Sequence, residues 1–369
     1  MKRSNSGRWQ ALAATAAVVA VLGVTGCVGP STLASPAEQT PARDCPPGML
    51  IGAGSTAQQG VVDAAIASYG VACRGGNQIT YDGKGSGDGV TNFVNGLTHF
   101  AGSDSPLTEE EADRAEIRCG GAPAWHLPMV IGPIALAYNL EGVGELTLDA
   151  ETTARIFSGE IDRWNDQAII ELNPRVSLPA EPITVVHRSD SSGTTQNFTT
   201  WLQAAAPEHW APDQVSNNWK GSGEAAAKSD GVATTVKETP GAITYVETSY
   251  ADDYQLPVAG LQSSEGWAVR PDSESVTAAL AGTQSDDASG GLLLELDPVP
   301  SDPAAYPIVQ VTYEIVCSEG LDPERTALLK DFLSYFADPQ TQQMLADRGY
   351  FPLPADISEQ LPELIGQIR

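Results

Sequence analysis

The residues with the clearest chemical potential lie in one short stretch, residues 188–194 (RSDSSGT). Arg188 supplies a permanent positive charge and a planar fork of donors, and Asp190 is placed two residues later to hold the guanidinium. The hydroxyl groups of Ser192 and Thr194 add neutral donors. If a helix begins here, its first backbone N–H groups and its dipole also favour an anion. This set of donors suits the binding of a tetrahedral oxyanion.

The elements that must position this stretch are a strand before it and a helix after it. Residues 183–186 form a β-branched run, which predicts a strand in a buried sheet. After Gly193 a helical pattern resumes, with Phe198 and Trp201 on one face. Ordinary helix capping also places Ser and Thr at such a turn, so this stretch by itself leaves capping and anion binding open.

A similar arrangement recurs at three strand ends earlier in the chain. Residues 49–57 (MLIGAGSTA) and 79–89 (ITYDGKGSGDG) each lead from an apolar run into a Gly/Ser turn, and a helical pattern follows both. Residues 100–107 (FAGSDSPL) form a third strand end. Strands that alternate with helices predict a parallel α/β sheet, in which the carboxyl ends of the strands meet at one edge and bind ligands.

The rest of the chain continues this alternation, and its 369 residues are enough for two domains of ~150 residues each. Thr108 with Glu111 predicts a capping box at the start of a helix. Residues 127–140 form an apolar run that predicts a strand crossing into a second domain. Residues 220–224 (KGSGE) are predicted to open a later helix, and residues 306–317 to form a strand.

Asp104, at the third strand end, is the exceptional member of the set. A carboxylate repels an anion unless it accepts a proton from that anion. Phosphate keeps a proton near neutral pH and can donate it to Asp104, whereas sulfate has none to give. A buried acceptor that is left against a bare anion oxygen is costly, so Asp104 predicts selection for a protonated oxyanion.

The first 26 residues have the pattern of an export signal, with a basic start and an apolar run over residues 11–24. The run ends in residues 24–27 (VTGC), which resembles a bacterial lipobox. We therefore expect cleavage before Cys27, acylation of its thiol, and lipid anchoring at the extracytoplasmic face of the cell membrane. A plain secretory signal with an incidental Cys27 is the alternative. Residues 27–44 predict a flexible tether, and no later segment is apolar enough to cross a membrane.

Charge narrows the choice of partners. Without residues 1–26 the chain carries 17 Lys and Arg against 47 Asp and Glu, a formal charge of −30. Such a surface disfavours nucleic acid as a partner. A small anionic ligand is compatible with it if local donors capture the ligand at short range, because long-range steering opposes an anion.

Four cysteines remain if Cys27 is acylated, namely Cys45, Cys73, Cys119 and Cys317. An even number in an exported protein predicts two disulfides, with three possible connectivities. We favour Cys45–Cys73 with Cys119–Cys317, because the first pair flanks neighbouring early strands. The spacing resembles no zinc motif, and we expect neither a metal nor another cofactor.

The ordered set of turns resembles the phosphate-binding subunit of bacterial phosphate-specific ABC transporters, over about residues 48–352. No single motif is specific, but the set in this order is. The motifs that carry the resemblance are residues 52–56 (GAGST), 81–87 (YDGKGSG), 100–107 (FAGSDSPL), 159–164 (GEIDRW), 188–194 (RSDSSGT) and 240–247 (PGAITYVE).

This resemblance implies a periplasmic-binding-protein-like α/β fold of type II, in which two lobes joined by hinge strands close over one phosphate ion. It places residues 45–127 and 303–369 in lobe I, and residues 128–302 in lobe II. Ala57 stands where the family often has an aromatic residue, and its contact would be made by the backbone N–H. Carried over by motif, the phosphate-binding residues are Ser55, Thr56, Ala57, Ser86, Asp104, Arg188, Ser192, Gly193 and Thr194, with Asp190 supporting Arg188.

The implied role is a monomeric receptor, not an enzyme, which delivers phosphate to ABC permease subunits with a cytoplasmic ATPase. A receptor for sulfate or molybdate is one alternative, and Asp104 disfavours it. An enzyme would need His187 as a base for Ser192, but strand alternation directs His187 away from Arg188. The chain also has no GxSxG elbow and no metal-ligand cluster of His with Asp.

A structural or adhesion lipoprotein is the remaining alternative. Its carbohydrate platform would be formed by the tryptophans at positions 164, 201, 210 and 219. These residues are spread along the chain, which favours packing in a core over a shared surface.

Overall fold

The computed structural model describes residues 43–286, 290–346 and 348–369. The predicted signal peptide, Cys27 and almost all of the tether lie outside these residues. The strands are β1 (Gly48–Gly54), β2 (Asn77–Gly83), β3 (Phe100–Ser103), β4 (Ala124–Tyr138), β5 (Thr147–Leu148), β6 (Thr184–Arg188), β7 (Glu224–Ala226), β8 (Ala242–Glu247), β9 (Gly260–Gln262), β10 (Ala268–Val269), β11 (Gln284–Asp286), β12 (Leu293–Glu295) and β13 (Val309–Cys317).

Helices follow most of the strands of the main sheet. They are α1 (Gln59–Ala72), α2 (Ser86–Val94), α3 (Glu109–Arg118), α4 (Ala150–Ser158), α5 (Gln167–Leu172), α6 (Gly193–Ala205), α7 (Lys228–Glu238), α8 (Thr248–Asp253), α9 (Ser273–Leu280), α10 (Pro323–Phe336), α11 (Pro339–Ala346), α12 (Ala355–Ser358) and α13 (Leu361–Gln367). Among the described residues, none of these helices combines the length and the apolar composition that a bilayer span requires.

The main sheet is mixed, with the strand order β2-β1-β3-β13-β4-β8-β6-β7. β1 is parallel to β2 and β3, and β6 is parallel to β7 and β8. β13 is antiparallel to β3 and β4, and β4 is antiparallel to β8. The predicted α/β class is confirmed, but an all-parallel sheet is wrong. Alternation along the chain predicts parallel pairing only for strands joined by helical crossovers, whereas β13 enters from the far end of the chain.

The long strand β4 joins the two halves of this sheet. Its residues 124–133 pair with β13, and its residues 134–138 pair with β8. All of its side chains except that of Trp125 are buried, which explains why the sequence shows a continuous apolar run without alternation. One strand therefore connects the turns after β1, β2 and β3 to the turn after β6.

Local capping fixes the helices that begin at the strand ends. The side chain of Ser192 accepts a hydrogen bond from the Thr195 N–H and caps α6. Thr108 and Glu111 form the predicted capping box of α3. The strand predicted over residues 183–186 and the helix predicted after Gly193 are both confirmed, with boundaries shifted by one to two residues.

The helix predicted to open at residues 220–224 is wrong. Glu224–Ala226 instead forms β7, which pairs with β6, and α7 begins at Lys228. The glycines of this stretch serve close packing. A Cβ at Gly221 would lie 2.5 Å from the Trp219 ring, and Gly223 has a φ of +123°.

Two disulfides tie the fold together, and the favoured pairing of Cys45 with Cys73 and of Cys119 with Cys317 is confirmed. Core packing is confirmed for three tryptophans, because Trp164, Trp201 and Trp210 are all buried. The half-buried Trp219 packs against the rings of Phe198, Tyr245, Phe157, Trp210 and His187. These contacts leave no tryptophan platform among the four residues.

Candidate anion-binding site

Asp104 lies directly after β3 and is almost completely buried. Its Oδ2 accepts hydrogen bonds from the Ser55 Oγ at 2.6 Å and the Ser86 Oγ at 3.2 Å. Its Oδ1 is also buried, and no described residue donates to it. A buried carboxylate oxygen without a donor is costly, so this atom favours a ligand that brings a proton.

The surroundings of Asp104 also shift its protonation. Burial raises the pKa of Asp104 to about 7, and the nearby charge of Glu247 acts in the same direction. The hydrogen bonds from Ser55 and Ser86, and the charge of Arg188, act against this rise. Near neutral pH the carboxyl is therefore able either to accept or to hold a proton.

Gly193, the first residue of α6, brings that helix against Asp104. Its N–H donates to the Ser86 Oγ at 3.2 Å. A Cβ at Gly193 would lie 2.7 Å from both the Cβ of Asp104 and the Oγ of Ser86, closer than side chains pack. The residue must be glycine for the α6 turn and the β3 end to approach this closely.

Arg188 ends β6 and carries the buried positive charge of the site, with only 3% of the residue exposed. Its Nε donates to the Asp190 Oδ1 at 2.8 Å, and its Nη2 donates to the Asp190 Oδ2. The Lys228 N–H also donates to the Asp190 Oδ1, at 2.9 Å. Burial opposes ionisation of Asp190, but the bonds and charge of Arg188 outweigh it and hold the pKa of Asp190 below its usual value.

The other predicted residues are buried and have protein partners. The Oγ1 of Thr56 lies 2.8 Å from the Ser229 Oγ, and the Ala57 N–H donates to the Ser55 Oγ at 3.0 Å. The Thr194 hydroxyl donates to the Oε1 of Glu247. The side chain of Ser192 caps α6. Helix capping and the predicted anion contacts therefore occur in the same turn.

The structure therefore collects the predicted residues into one buried region. Ser55, Ser86, Asp104 and Gly193 form a connected hydrogen-bond network. Arg188 reaches Thr56 through Ser229, because its Nη1 donates to the Ser229 Oγ at 3.2 Å. Ser229 carried no signal in the sequence that pointed to this region. Glu247 was part of a quoted motif, but the motif did not assign it a role.

A fourth carboxyl, that of Glu314 on β13, lies close enough to Asp104 for their charges to interact. Glu314 is fully buried, and neither of its carboxylate oxygens has a hydrogen-bond partner among the described residues. Burial raises the pKa of Glu314 well above its usual value, and the charge of Asp104 adds to this effect, while Gln58 opposes it. Burial therefore favours the protonated form of Glu314 in the folded protein.

The partners of His187 in the described residues do not include the Ser192 hydroxyl, which a serine-dependent enzyme would need beside its base. Its Nδ1 lies 3.0 Å from the carbonyl oxygen of Arg188, and its ring stacks on Trp219. The Ser192 Oγ accepts from a backbone N–H. In the described parts of the chain, His, Cys, Asp and Glu residues form no group of three or more that could hold a metal ion.

A cavity of about 370 Å³ adjoins the site at Ser86 and is lined by Ser103, Gln196 and Asn217 among others. A larger pocket, of about 780 Å³, lies at the amino ends of β1 and β2 and shares none of the predicted residues. Of these two, only the smaller cavity is lined by a residue of the predicted set, Ser86.

Buried hydroxyl, carboxyl and guanidinium groups at strand ends, on a mixed sheet whose halves share one long strand, are typical of periplasmic binding proteins. Residues 34–340 match the family model of the PBP superfamily domain. The chain is also 41% identical over 322 residues to the phosphate-binding protein PstS3 of Mycobacterium bovis BCG, covering 86% of both chains. It is 42% identical over 323 residues to the phosphate-binding protein PstS 3 of Mycobacterium leprae, covering 85% of both. The chain belongs to the PstS family of phosphate-binding proteins.

A solved structure supports the fold. The chain superposes with a TM-score of 0.69 on a high-affinity periplasmic phosphate-binding protein, PfluDING, solved with bound phosphate. The two sequences are 23% identical, and the match covers 86% of this chain and 93% of the other. The likeness confirms the predicted two-lobed α/β fold.

Proposed function

We propose that this protein is an extracytoplasmic receptor that binds one inorganic phosphate ion between its lobes and delivers it to an ABC permease. The observation that carries the proposal is the pairing of two buried groups, the Arg188 guanidinium and the donor-free Oδ1 of Asp104. The first neutralises an anion, and the second requires a proton from it. The names of the relatives, which are phosphate-binding proteins, support the same ligand.

The proposed ligand contacts are the nine residues of the predicted set. Ser55, Ser86 and Thr56 contribute hydroxyls, and Ala57 and Gly193 contribute backbone N–H groups at helix starts, where the dipole favours an anion. The remaining members are Asp104, Arg188, Ser192 and Thr194, with Asp190 supporting Arg188.

The lobe division that we propose follows the sequence, with residues 45–127 and 303–369 in lobe I and residues 128–302 in lobe II. The change of partner along β4, from β13 to β8, supports a crossing near this boundary. Under this division the turns with Ser55, Ser86 and Asp104 belong to lobe I. The turn after β6 belongs to lobe II, so closure of the lobes surrounds the ion.

Selectivity for phosphate over sulfate is the part of this proposal that depends on a single group. Sulfate has no proton for the Asp104 Oδ1, so when Asp104 is ionised a negative sulfate oxygen would lie against a buried acceptor. Phosphate donates one hydrogen bond there and accepts the others. Discrimination thus arises from a cost imposed on the wrong ligand.

The proposed location is the extracytoplasmic face of the cell membrane, with the thiol of Cys27 acylated and Cys27 the new N-terminus once residues 1–26 are removed. The protein then acts as a monomer, and the permease subunits and their cytoplasmic ATPase complete the transporter. A Cys27→Ser variant tests the anchor. We expect it to appear in the soluble fraction while the wild type sediments with membranes, and membrane retention of the variant would contradict acylation at this residue.

Calorimetric titration of the mature chain, stripped of bound anion, tests the receptor role. At pH 8, above the pKa of about 7 of Asp104, we expect tight one-to-one binding of phosphate and no heat with sulfate. Binding of both anions would keep the receptor and overturn the role of Asp104. Binding of neither would contradict the proposed function. Turnover of a chromogenic phosphoester by the same sample would favour an enzyme instead.

A further inference from the structure

Ser229 is a buried residue outside the predicted set that contacts two of its members. It is fully buried. Its Oγ accepts a hydrogen bond from the Arg188 Nη1 at 3.2 Å, and it lies 2.8 Å from the Oγ1 of Thr56. Its backbone N–H also donates to the Thr56 Oγ1, at 3.3 Å. Ser229 therefore lies between the guanidinium and one of the hydroxyls of the site.

The backbone before Ser229 is held in an unfavourable conformation. Lys228 has a φ of +67°, and the only other non-glycine residue with a positive φ among the described residues is Gln255. This left-handed region is sterically unfavourable for a residue with a side chain. The Lys228 N–H donates to the same Asp190 oxygen that holds Arg188. Strain that persists at a site indicates that the contacts around it require the conformation.

The hydrogen atoms can be assigned along this chain of groups. A serine or threonine hydroxyl has one donor and two acceptor positions. Arg188 is always a donor, so the Ser229 Oγ accepts from it. The Thr56 Oγ1 is the other hydroxyl partner of the Ser229 Oγ among the described residues, and we assign the Ser229 hydrogen to that contact. The Thr56 oxygen then accepts both the O–H and the N–H of Ser229. With both acceptor positions used, the Thr56 hydroxyl can only donate.

We propose that Ser229 is a positioning residue that makes the Thr56 hydroxyl an obligate donor to the bound anion. This inference rests on the proposed function and deepens it. An obligate donor favours an anion oxygen and disfavours a protonated one at that position, so the ligand proton is directed to Asp104 instead. Ser229 also joins the start of α7 to the turn after β1, which the Tyr250 hydroxyl holds as well by donating to the Thr56 carbonyl.

The test is a double-mutant cycle on the mature chain, with phosphate as the titrant. We expect Ser229→Ala to raise the Kd about tenfold, mainly through faster dissociation. In a Thr56→Val background, which has no hydroxyl to position, the same change should cost less than about threefold. Thr235→Ala is the matched control, because this hydroxyl of α7 donates to the Gly231 carbonyl within its own helix. Its Kd should equal that of the wild type.

The outcomes separate a positioning role from a structural one. Equal losses in both backgrounds would overturn the inference, because Ser229 would then act independently of Thr56. An unchanged Kd in Ser229→Ala would also overturn it, while tight binding by the wild type would leave the proposed function intact. No phosphate binding by the wild type would overturn both. If Ser229→Ala unfolds, Ser229→Cys keeps the size and a weak donor, and we expect a loss of about threefold; no loss would count against the role.

Discussion

Asp104 is buried and Asp190 is half-buried, and these two carboxyls near Arg188 have opposite properties. Asp190 binds the guanidinium with both oxygens and accepts a backbone N–H, and its pKa falls. Asp104 receives two neutral hydroxyls on one oxygen and nothing on the other, and burial raises its pKa to about 7. The comparison shows that the surroundings of an aspartate, and not its residue type, determine its pKa and its role in the site. One carboxylate holds the positive charge, and the other is left to meet the ligand.

Removal of Arg188, whose charge acts on both carboxyls, should have the largest effect on phosphate affinity. We expect Arg188→Ala to raise the Kd for phosphate at least a hundredfold, equivalent to about 3 kcal/mol, because it leaves both the anion and Asp190 without their cation. Calorimetry measures the change. Arg175→Ala, at an exposed arginine, is the control. An Arg188→Ala protein that binds as tightly as the wild type would remove Arg188 from the site.

Exchange of each carboxyl for an amide should separate their roles. Asp104→Asn should weaken phosphate by about tenfold and create measurable sulfate binding, because an amide can donate to a bare oxygen. Asp190→Asn should weaken phosphate without admitting sulfate, since the acceptor at Asp104 remains. Competition titrations with the two anions decide the matter. Sulfate binding by both variants, or by neither, would contradict the separate roles of Asp104 and Asp190.

The discrimination between phosphate and sulfate by Asp104 should also depend on pH. Because the pKa of Asp104 is raised to about 7, the fraction of protonated carboxyl grows as the pH falls through this value. A protonated Asp104 donates a hydrogen bond, so sulfate affinity should rise severalfold between pH 8 and roughly pH 6. The Asp104→Asn variant should show no such rise. A flat sulfate profile in the wild type would contradict this account.

The smallest effect is expected at Glu314. The pKa of this carboxyl is raised in the folded state, so its contribution to stability is complete below its usual value of 4.5 and is lost as the pH rises through the folded value. Glu314→Gln should therefore raise the free energy of unfolding at alkaline pH, with no gain near pH 4. Denaturant titrations at the two values test this. An equal effect at both would show that the carboxyl does not titrate with folding.

Much of this architecture is predictable because its signals are local. Apolar runs that end in Gly/Ser turns mark β1, β2, β3 and β6, and the turn residues they carry are brought together by the sheet. The antiparallel course of β4 and β13 has no local signal, since it depends on strands from distant parts of the chain. Residues 220–224 mislead for a related reason. Their glycines accommodate Trp219 and Val185, not a helix start.

The prediction of the site residues from the sequence has a similar limit, because only residues within local motifs are indicated. Ser86 and Asp104 lie within quoted motifs, so the sequence indicates them directly. Ser229 lies 173 positions from Thr56 and acquires its role from a left-handed backbone at Lys228, which composition does not reveal. Glu247 is recognisable as part of a strand, but its bond to Thr194 exists only after β8 and α6 pack together.

The segment that begins within β4 at Ile134 and ends before β13 at Ile308 has a consequence for protein engineering. The Ile134 N–H donates to the Ile308 carbonyl at 2.8 Å, so the long segment between these residues has its two ends hydrogen-bonded to each other. A segment with adjoining ends can be exchanged as a cassette with little chain entropy lost at the splice. Chimeras joined at these two residues would combine the turn bearing Asp104 from one relative with the turn bearing Arg188 from another.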